Sequence, residues 1–403
     1  MFNFSSGIFS PTILSASPKK PLSDGSEREA HPRPRAGVCS GPHPLILARE
    51  QAGLALVTVV LIVSLLAVVL VEFAYNSRIQ LRMADSFAKQ LKAYTIARGG
   101  IDAAADLLLF DSRKGQVDFF SAPLESFDFS GGILPDPTKI EEIWSWAAQG
   151  TPFSYPVGDG ILAIKISDEN GKINLNQVEE VKTRKIAYQL FETIISTSAE
   201  RGGKIPAEAL VDSIREWTDG DLETGTDSQG AEADFYLGLT PSYSSKEGAL
   251  DSLSELRLIG GFTPQLYAAL MEGDGPEARK IDALGSPLVT VFPQQSSGGK
   301  ININTAPALV LESLHESFTP GWAQEIIDYR KDKPFRSITD FLSQFVPDSQ
   351  ARLDLQNMIS VKSDVFSISS TGVIGDLAVT IKAVITRIPS ENRVGLLYFR
   401  VEG

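Results

Sequence analysis

An uncharged run of 18 residues, LALVTVVLIVSLLAVVLV from Leu54 to Val71, constrains this chain more than any other feature. Only Thr58 and Ser64 in it are polar. A hydrocarbon core about 30 Å thick needs about 20 helical residues, so the run is long enough to span a bilayer. A secretory signal core is shorter, about 7–15 residues, with a small-residue cut site behind it. Ser64-Leu65-Leu66-Ala67 offers no such site, and the small pair Ala52-Gly53 stands before the run instead. The run therefore reads as a membrane anchor, with a cut at Gly53 left open by the residues alone.

Helix-compatible sequence continues without a proline to at least Leu109. Apolar residues recur at Phe73, Ile79, Met83, Phe87, Leu91, Tyr94, Ala97, Ile101, Ala104 and Leu108, mostly three or four apart. That spacing makes one apolar stripe on a helix. A helix over residues 54–110 would be about 84 Å long, its first third in lipid and the rest against a soluble head. Gly99-Gly100 would bend or loosen it, since glycine costs ~1 kcal/mol against alanine in a helix. A short anchor followed by a separate helix, broken near Tyr75-Asn76, is the alternative.

A small-Gly pair, an apolar helix behind it and an amphipathic extension resemble a type IV prepilin or pseudopilin. The resemblance implies that a prepilin peptidase cuts between Gly53 and Leu54, that the new N-terminus is methylated, and that the helix stays as the anchor. Most members carry a glutamate at mature position five, and here that position is Thr58. This departure resembles the K-type minor pseudopilin of type II secretion, the general secretion pathway protein K family. The strings DENGKINLNQ, SIREWTDGDLETG, GAEADFYLG, LSELRLIGGF, ININTAPALVLESL and IIDYRKDKPFRSITDFL carry that likeness in order along nearly the whole chain after residue 48.

Residues 1–53 are rich in Pro, Ser and Gly, lack apolar periodicity, and read as a disordered or over-long leader. They carry a net +2, which leaves -15 of the formal -13 for everything from Leu54 onward. Such a body repels nucleic acid and anionic lipid and could attract cations. The single cysteine, Cys39, lies in the leader, so the remainder can form no disulfide and has no thiol nucleophile.

Beyond the stem, residues 119–137 read as a loop and EEIWSWAAQG as a short helix. Strands are expected at Gly160–Asp168, Val365–Val373, Leu377–Ile388 and Arg393–Val401. GKINLN and GKININ form a near repeat in which apolar residues face one way and amides the other. Helices are expected at 182–199, 206–217, 252–258, 263–270, 307–315, 321–331, 337–345 and 348–359. Phe-Thr-Pro stands at two of these helix starts, consistent with two related subdomains.

The fold class is therefore α+β: a long N-terminal transmembrane and amphipathic helix, a pilin-like α/β head with an antiparallel sheet, and a large inserted α-helical domain. The boundaries are 1–53 for the leader, 54–110 for the helix with 54–74 in the membrane, 111–176 with 360–403 for the head, and 177–359 for the insert. The resemblance implies a SAM-like or helix-hairpin-helix-like insert.

The densest acidic stretch holds Asp219, Asp221, Glu223 and Asp227, followed by Glu232 and Asp234. Alternate acids on a glycine-containing loop can turn several oxygens toward one cation, and calcium takes six to eight. An EF-hand starting at Asp219 is excluded, because Thr224 takes its glycine slot and Gly230 its final glutamate slot. A solvated acidic loop is the plainer reading. The resemblance favours calcium, with those six residues as candidates.

No catalytic signature stands out: no G-x-S-x-G, no P-loop, and one histidine, His315, outside the leader. Arg330, Lys331, Lys333 and Arg336 read as one basic, solvated patch, so no nucleic acid is expected as a partner. Trp144, Trp146, Trp217, Tyr236 and Tyr243 are partner anchors or core. The favoured function is a structural minor pseudopilin at the pseudopilus tip, held in the inner membrane with its head in the periplasm. The resemblance supplies its partners: I-type and J-type minor pseudopilins, the prepilin peptidase and the inner-membrane assembly platform. A pseudopilin of a DNA-uptake or type IV pilus machine is the alternative, and an uncut, membrane-anchored calcium-dependent adhesin or sensor is a third.

Overall fold

The computed structural model describes residues 48–113, 153–197, 206–220, 228–272, 287–294 and 299–402. Residues 1–47, the 119–137 loop, the EEIWSWAAQG segment with Trp144 and Trp146, and Asp221, Glu223 and Asp227 lie outside them.

Helix α1 runs from Ala48 to Arg113, unbroken through Tyr75-Asn76 and through Gly99-Gly100. Gly100 lets the helix come close. A Cβ there would stand 2.2 Å from Ser370 Oγ and 2.7 Å from Leu162 Cδ1. Gly372 does the same from the other side, where a Cβ would stand 2.0 Å from Ala93 O. The helix face so admitted is small or aliphatic: Ala93, Ala97, Ile101, Ala104 and Leu108 are all buried.

The apolar stripe read from the sequence is therefore covered only in part. The sheet takes it from Ala93 to Leu108, whereas Met83, Phe87 and Leu91 are each more than half exposed. Period fixes which face of a helix is apolar, but the reach of the sheet fixes how much of it is covered.

The sheet has five antiparallel strands in the order β1 (Phe153–Val157), β2 (Gly160–Asp168), β7 (Val365–Ile374), β8 (Leu377–Ile388), β9 (Arg393–Glu402). Ile166, Phe366, Ile368, Ile381 and Ile385 alternate onto the face that meets α1 and form one core with it. The chain leaves this sheet after β2 and returns at β7, and the excursion holds a separate core reaching from Ile173 to Val361.

The excursion contains β3 (Ile173–Asn174), α2 (Val181–Thr197), α3 (Ala207–Thr218), α4 (Ala233–Leu237), α5 (Pro264–Glu272) and β4 (Val289–Thr290). Then come β5 (Ile301–Asn302), α6 (Ala308–Glu312), α7 (Pro320–Asp332), α8 (Ile338–Phe345), α9 (Ser349–Gln356) and β6 (Ile359–Ser360). Start signals explain several of these. Thr319, Ser337 and Asp348 each accept a hydrogen bond from the backbone of the first turn they precede, and Pro320 stands at the first position of α7.

The near repeats open the two halves of the insert, and each makes the same local structure. β3 pairs in parallel with β4, and β5 with β6. Asn174, Asn302 and Asn304 are buried and Asn176 partly so, and their amides bond to backbone. Asn176 accepts from Leu250 N at 2.7 Å and donates to Leu250 O at 3.0 Å. Asn304 accepts from Phe335 N at 2.9 Å and donates to Phe335 O at 3.0 Å. Each Asn two residues earlier accepts from the clasping residue's own N–H at 3.0 Å.

Phe335 is fully buried against Tyr329, Phe341 and Phe345. Removing its clasp leaves a buried donor and a buried acceptor without partners, a loss of about 1–3 kcal/mol for each. Asn304→Ala is therefore expected to destabilise the full-length protein by about 2–4 kcal/mol in a denaturant titration. A change within about 0.5 kcal/mol, the usual range of a surface substitution, would contradict the clasp.

Where the insert leaves and rejoins the sheet, hydrogen bonds tie the two crossings together. Asp168 Oδ2 accepts from Thr305 Oγ1 at 2.6 Å and from Ser363 Oγ, and Asn170 Oδ1 accepts from Asp364 N and Val365 N. Buried Arg387 donates to Leu108 O at 3.2 Å and to Ser363 O, and lies 4.7 Å over the Phe366 ring. The joint so formed connects sheet, insert and the C-terminal part of α1.

Candidate functional site

From Leu54 to Phe73 every Leu, Ile, Val and Phe side chain of α1 is more than half exposed. The polar side chains of the run are satisfied within the helix. Thr58 Oγ1 donates to Leu54 O at 3.1 Å or Ala55 O at 2.9 Å, and Ser64 Oγ donates to Leu61 O at 2.8 Å. An apolar helix with its hydroxyls bonded to its own backbone suits lipid, where no water can do so. Among the described residues it is the one helix long and apolar enough to cross a membrane, and it fits a single-pass anchor. Gly53 and Leu54 lie within the helix, which begins at Ala48.

The second candidate site begins where α3 ends. Asp219 caps α3, its backbone N–H donating to Arg215 O. Glu232 caps the start of α4 and is 4% exposed. Ser245 Oγ donates to Glu232 Oε1 at 3.4 Å, while Oε2 is buried with no hydrogen-bond partner among the described residues. Both carboxylate oxygens of Glu247 are also buried without a partner among the described residues, on a backbone at φ 54. That left-handed conformation is uncommon for a residue other than glycine and is held by the surrounding structure.

Burial pushes the Glu232 carboxyl up to about 7, and the charges of Glu247, Asp219 and Glu216 push in the same direction. Glu216, almost wholly buried, is paired with Arg215 at 2.7 Å. Asp234 points outward and is exposed. Among the described residues no three acidic, histidine or cysteine side chains are already arranged as a metal's ligands. The acidic residues Asp221, Glu223 and Asp227, between the two ends of the cluster, are outside that search. Glu247 was not singled out in the sequence. Lys246-Glu247-Gly248 looks like an ordinary surface turn, and only the fold brings it to Glu232.

Other expectations change. Arg330 does not belong to a solvated basic patch: it is buried and donates to Ile303 O at 2.7 Å. Lys331 pairs with Asp328 and Lys333 lies over the Tyr329 ring. Trp217 and Tyr236 are buried together at 5.1 Å, with Tyr243 against both, so they belong to the core. His315 Nδ1 accepts from Ser317 N at 3.2 Å beyond the end of α6.

Residues 171–272 and 301–362, the two halves of the insert, match two family models, each described as type II secretion system (T2SS), protein K. Type II secretion system protein K of Pseudomonas aeruginosa is 28% identical over 296 residues, covering 73% of this chain and 77% of the relative. The protein of the same name from Aeromonas hydrophila is 23% identical over 363 residues, covering 87% and 96%. A chain of the GspK-GspI-GspJ complex from the enterotoxigenic Escherichia coli type 2 secretion system shares the fold at a TM-score of 0.53 and 20% identity, covering 79% of this chain and 99% of that one. An apolar stem, a sheet packed on its continuation and an insert matched in both halves make this chain a minor pseudopilin of type II secretion. Its family-model matches and these relatives make it similar to the protein K family of that system.

Proposed function

We propose that this chain stands at the tip of the pseudopilus, where it helps start assembly alongside minor pseudopilins of the I and J types and catalyses no reaction. Its stem crosses the inner membrane and its head lies in the periplasm. A prepilin peptidase removes residues 1–53, and the inner-membrane assembly platform takes up the methylated stem that begins at Leu54. The partner types follow from the solved relative, which belongs to a complex of GspK with GspI and GspJ.

Thr58 carries the tip reading. In ordinary pilins the glutamate at this place pairs with a neighbour's N-terminal amine inside lipid, where an unpaired charge is costly. The Thr58 hydroxyl is bonded to carbonyls of its own helix, so the stem needs no such neighbour. The second core of the insert, from Ile173 to Val361, supports the same reading by adding bulk that would hinder a further subunit above.

A carboxylate at position 58 would cost about 2.5–3.5 kcal/mol on insertion scales if nothing pairs with it. Thr58→Glu in the producing cell is therefore expected to lower secretion at least about tenfold, with the protein present at normal levels. Undiminished secretion by the variant would contradict a tip position.

We further infer that the acidic cluster takes calcium. The unpartnered oxygens of Glu232 and Glu247 fit a hard cation, which prefers carboxylate and carbonyl oxygen. Glu232, Glu247 and Asp219 would hold it, together with Asp221, Glu223 and Asp227 from the loop between Asp219 and Glu232. The ion would supply the positive charge that this buried group of acids lacks.

A further inference from the structure

The face of the sheet turned away from α1 floors a cleft of about 490 Å³, separate from the stem and from the acidic cluster. Strand register sets Lys165 opposite Ser369, Ser369 opposite Lys382, and Lys382 opposite Arg400, in one row across β2, β7, β8 and β9. The insert gives the facing wall through Leu253, Val291 and Phe292. Phe292 meets Tyr398 of β9 at 5.9 Å.

The cations of this cleft are not equivalent. Lys172 is buried against Glu169 at 2.5 Å, Lys382 lies 2.9 Å from Glu402, and Arg400 lies 3.5 Å from the same carboxylate. Lys165 is half-buried and, among the described residues, no acid pairs with it. Burial and the nearby charge of Lys172 push its pKa down. Folded proteins ordinarily pair a charge so placed, because a partly desolvated ion without a partner is costly.

We propose that this cleft binds an acidic segment of an extended polypeptide, with one carboxylate on Lys165 and a neighbouring apolar side chain between Val291, Phe292 and Tyr398. One uncompensated cation matches one carboxylate. A phosphate dianion calls for at least two, and Glu402 already holds the other cations of the row. An apolar wall would add nothing to a site for a small inorganic anion, whereas it suits a peptide whose acidic residue is flanked by Leu or Phe. The inference is independent of the tip position.

The test uses the full-length protein in detergent and two fluorescein-labelled acetyl peptides, Leu-Asp-Phe and Leu-Asn-Phe, followed by anisotropy. Saturable binding of the aspartate peptide is expected, with the asparagine peptide at least fivefold weaker. Lys165→Gln is expected to weaken the aspartate peptide at least fivefold, and Lys165→Arg to retain it, both with melting temperatures no lower than that of the unsubstituted protein. The proposal is overturned by absent saturable binding, by equal affinity for the two peptides, or by full affinity in Lys165→Gln. Displacement by millimolar inorganic phosphate at constant ionic strength would also overturn it, because the cleft would then be a small-anion site.

Discussion

Millimolar calcium is expected to raise the melting temperature of the full-length protein in detergent at pH 8 by about 5–10 °C, and a chelator to abolish the gain. A ligand at a hundred times its dissociation constant adds about 2.7 kcal/mol, and each kcal/mol shifts melting by about 2–4 °C for a domain of 150–250 residues. The sign of the calcium-free behaviour follows from Glu232. Its folded pKa of about 7 stands above the ordinary glutamate value of 4.5. Between those two pH values the folded chain keeps a proton that the unfolded chain has lost. Calcium-free stability therefore falls as pH rises through this window and is lowest above it. Calcium must displace that proton, so its affinity rises over the same window and levels off above about pH 7.

Glu232→Gln separates this account from a plain structural role for the residue. The substitution removes a repelled, buried charge while keeping the shape. It is expected to stabilise the calcium-free protein at pH 8 and to remove most of the calcium response. Glu247→Gln should act in the same direction. A calcium shift of equal size in both variants would contradict the assignment, and an absent shift in the unsubstituted protein would end it.

Gly372→Val is expected to destabilise the protein by at least about 3 kcal/mol. The new Cβ would stand 2.0 Å from Ala93 O and 2.9 Å from Ala97 N, both backbone atoms of α1. Neither can yield by a side-chain rotation, so helix and sheet must separate along the contact that joins them. Overpacking of ordinary cores costs about 1–3 kcal/mol, and a backbone obstruction lies at or beyond the top of that range. A fall in melting temperature of roughly 6–12 °C follows from about 3 kcal/mol. Gly99→Ala is the control. Nothing lies within 4 Å of its Cβ position, so the helix gains about 0.5–1 kcal/mol from the lost glycine entropy. Equal effects of the two substitutions would contradict the close approach of α1 to β7.

The contrast between these two glycines marks where sequence reading stops. Gly99 and Gly100 look alike in the sequence and together read as a weak point in a helix. Their difference is set by Ser370 and Leu162, which lie far away in the chain and come near only in the fold. The four long strands were legible because β-branched runs bounded by turns carry their own local signal. Most insert helices were legible through period and start residues, as at Thr319, Ser337 and Asp348.

The asparagines of the near repeat were visible as a pattern, but their clasps on Leu250 and Phe335 were not. An amide's partner is a matter of tertiary placement. The acidic cluster was legible at Asp219 and Glu232, where acids are dense in the sequence. It was not legible at Glu247, a lone acid beside a lysine. The exposed apolar residues Met83, Phe87 and Leu91 belong to the same class: their period was plain, and their exposure was not.

The account turns on the stem from Leu54 onward being a processed pseudopilin anchor. Mass spectrometry of the N-terminus of the protein purified from its own membranes tests this most directly. The account predicts a chain that begins at Leu54 with a methylated amine. A chain that retains residues 1–53 would contradict it.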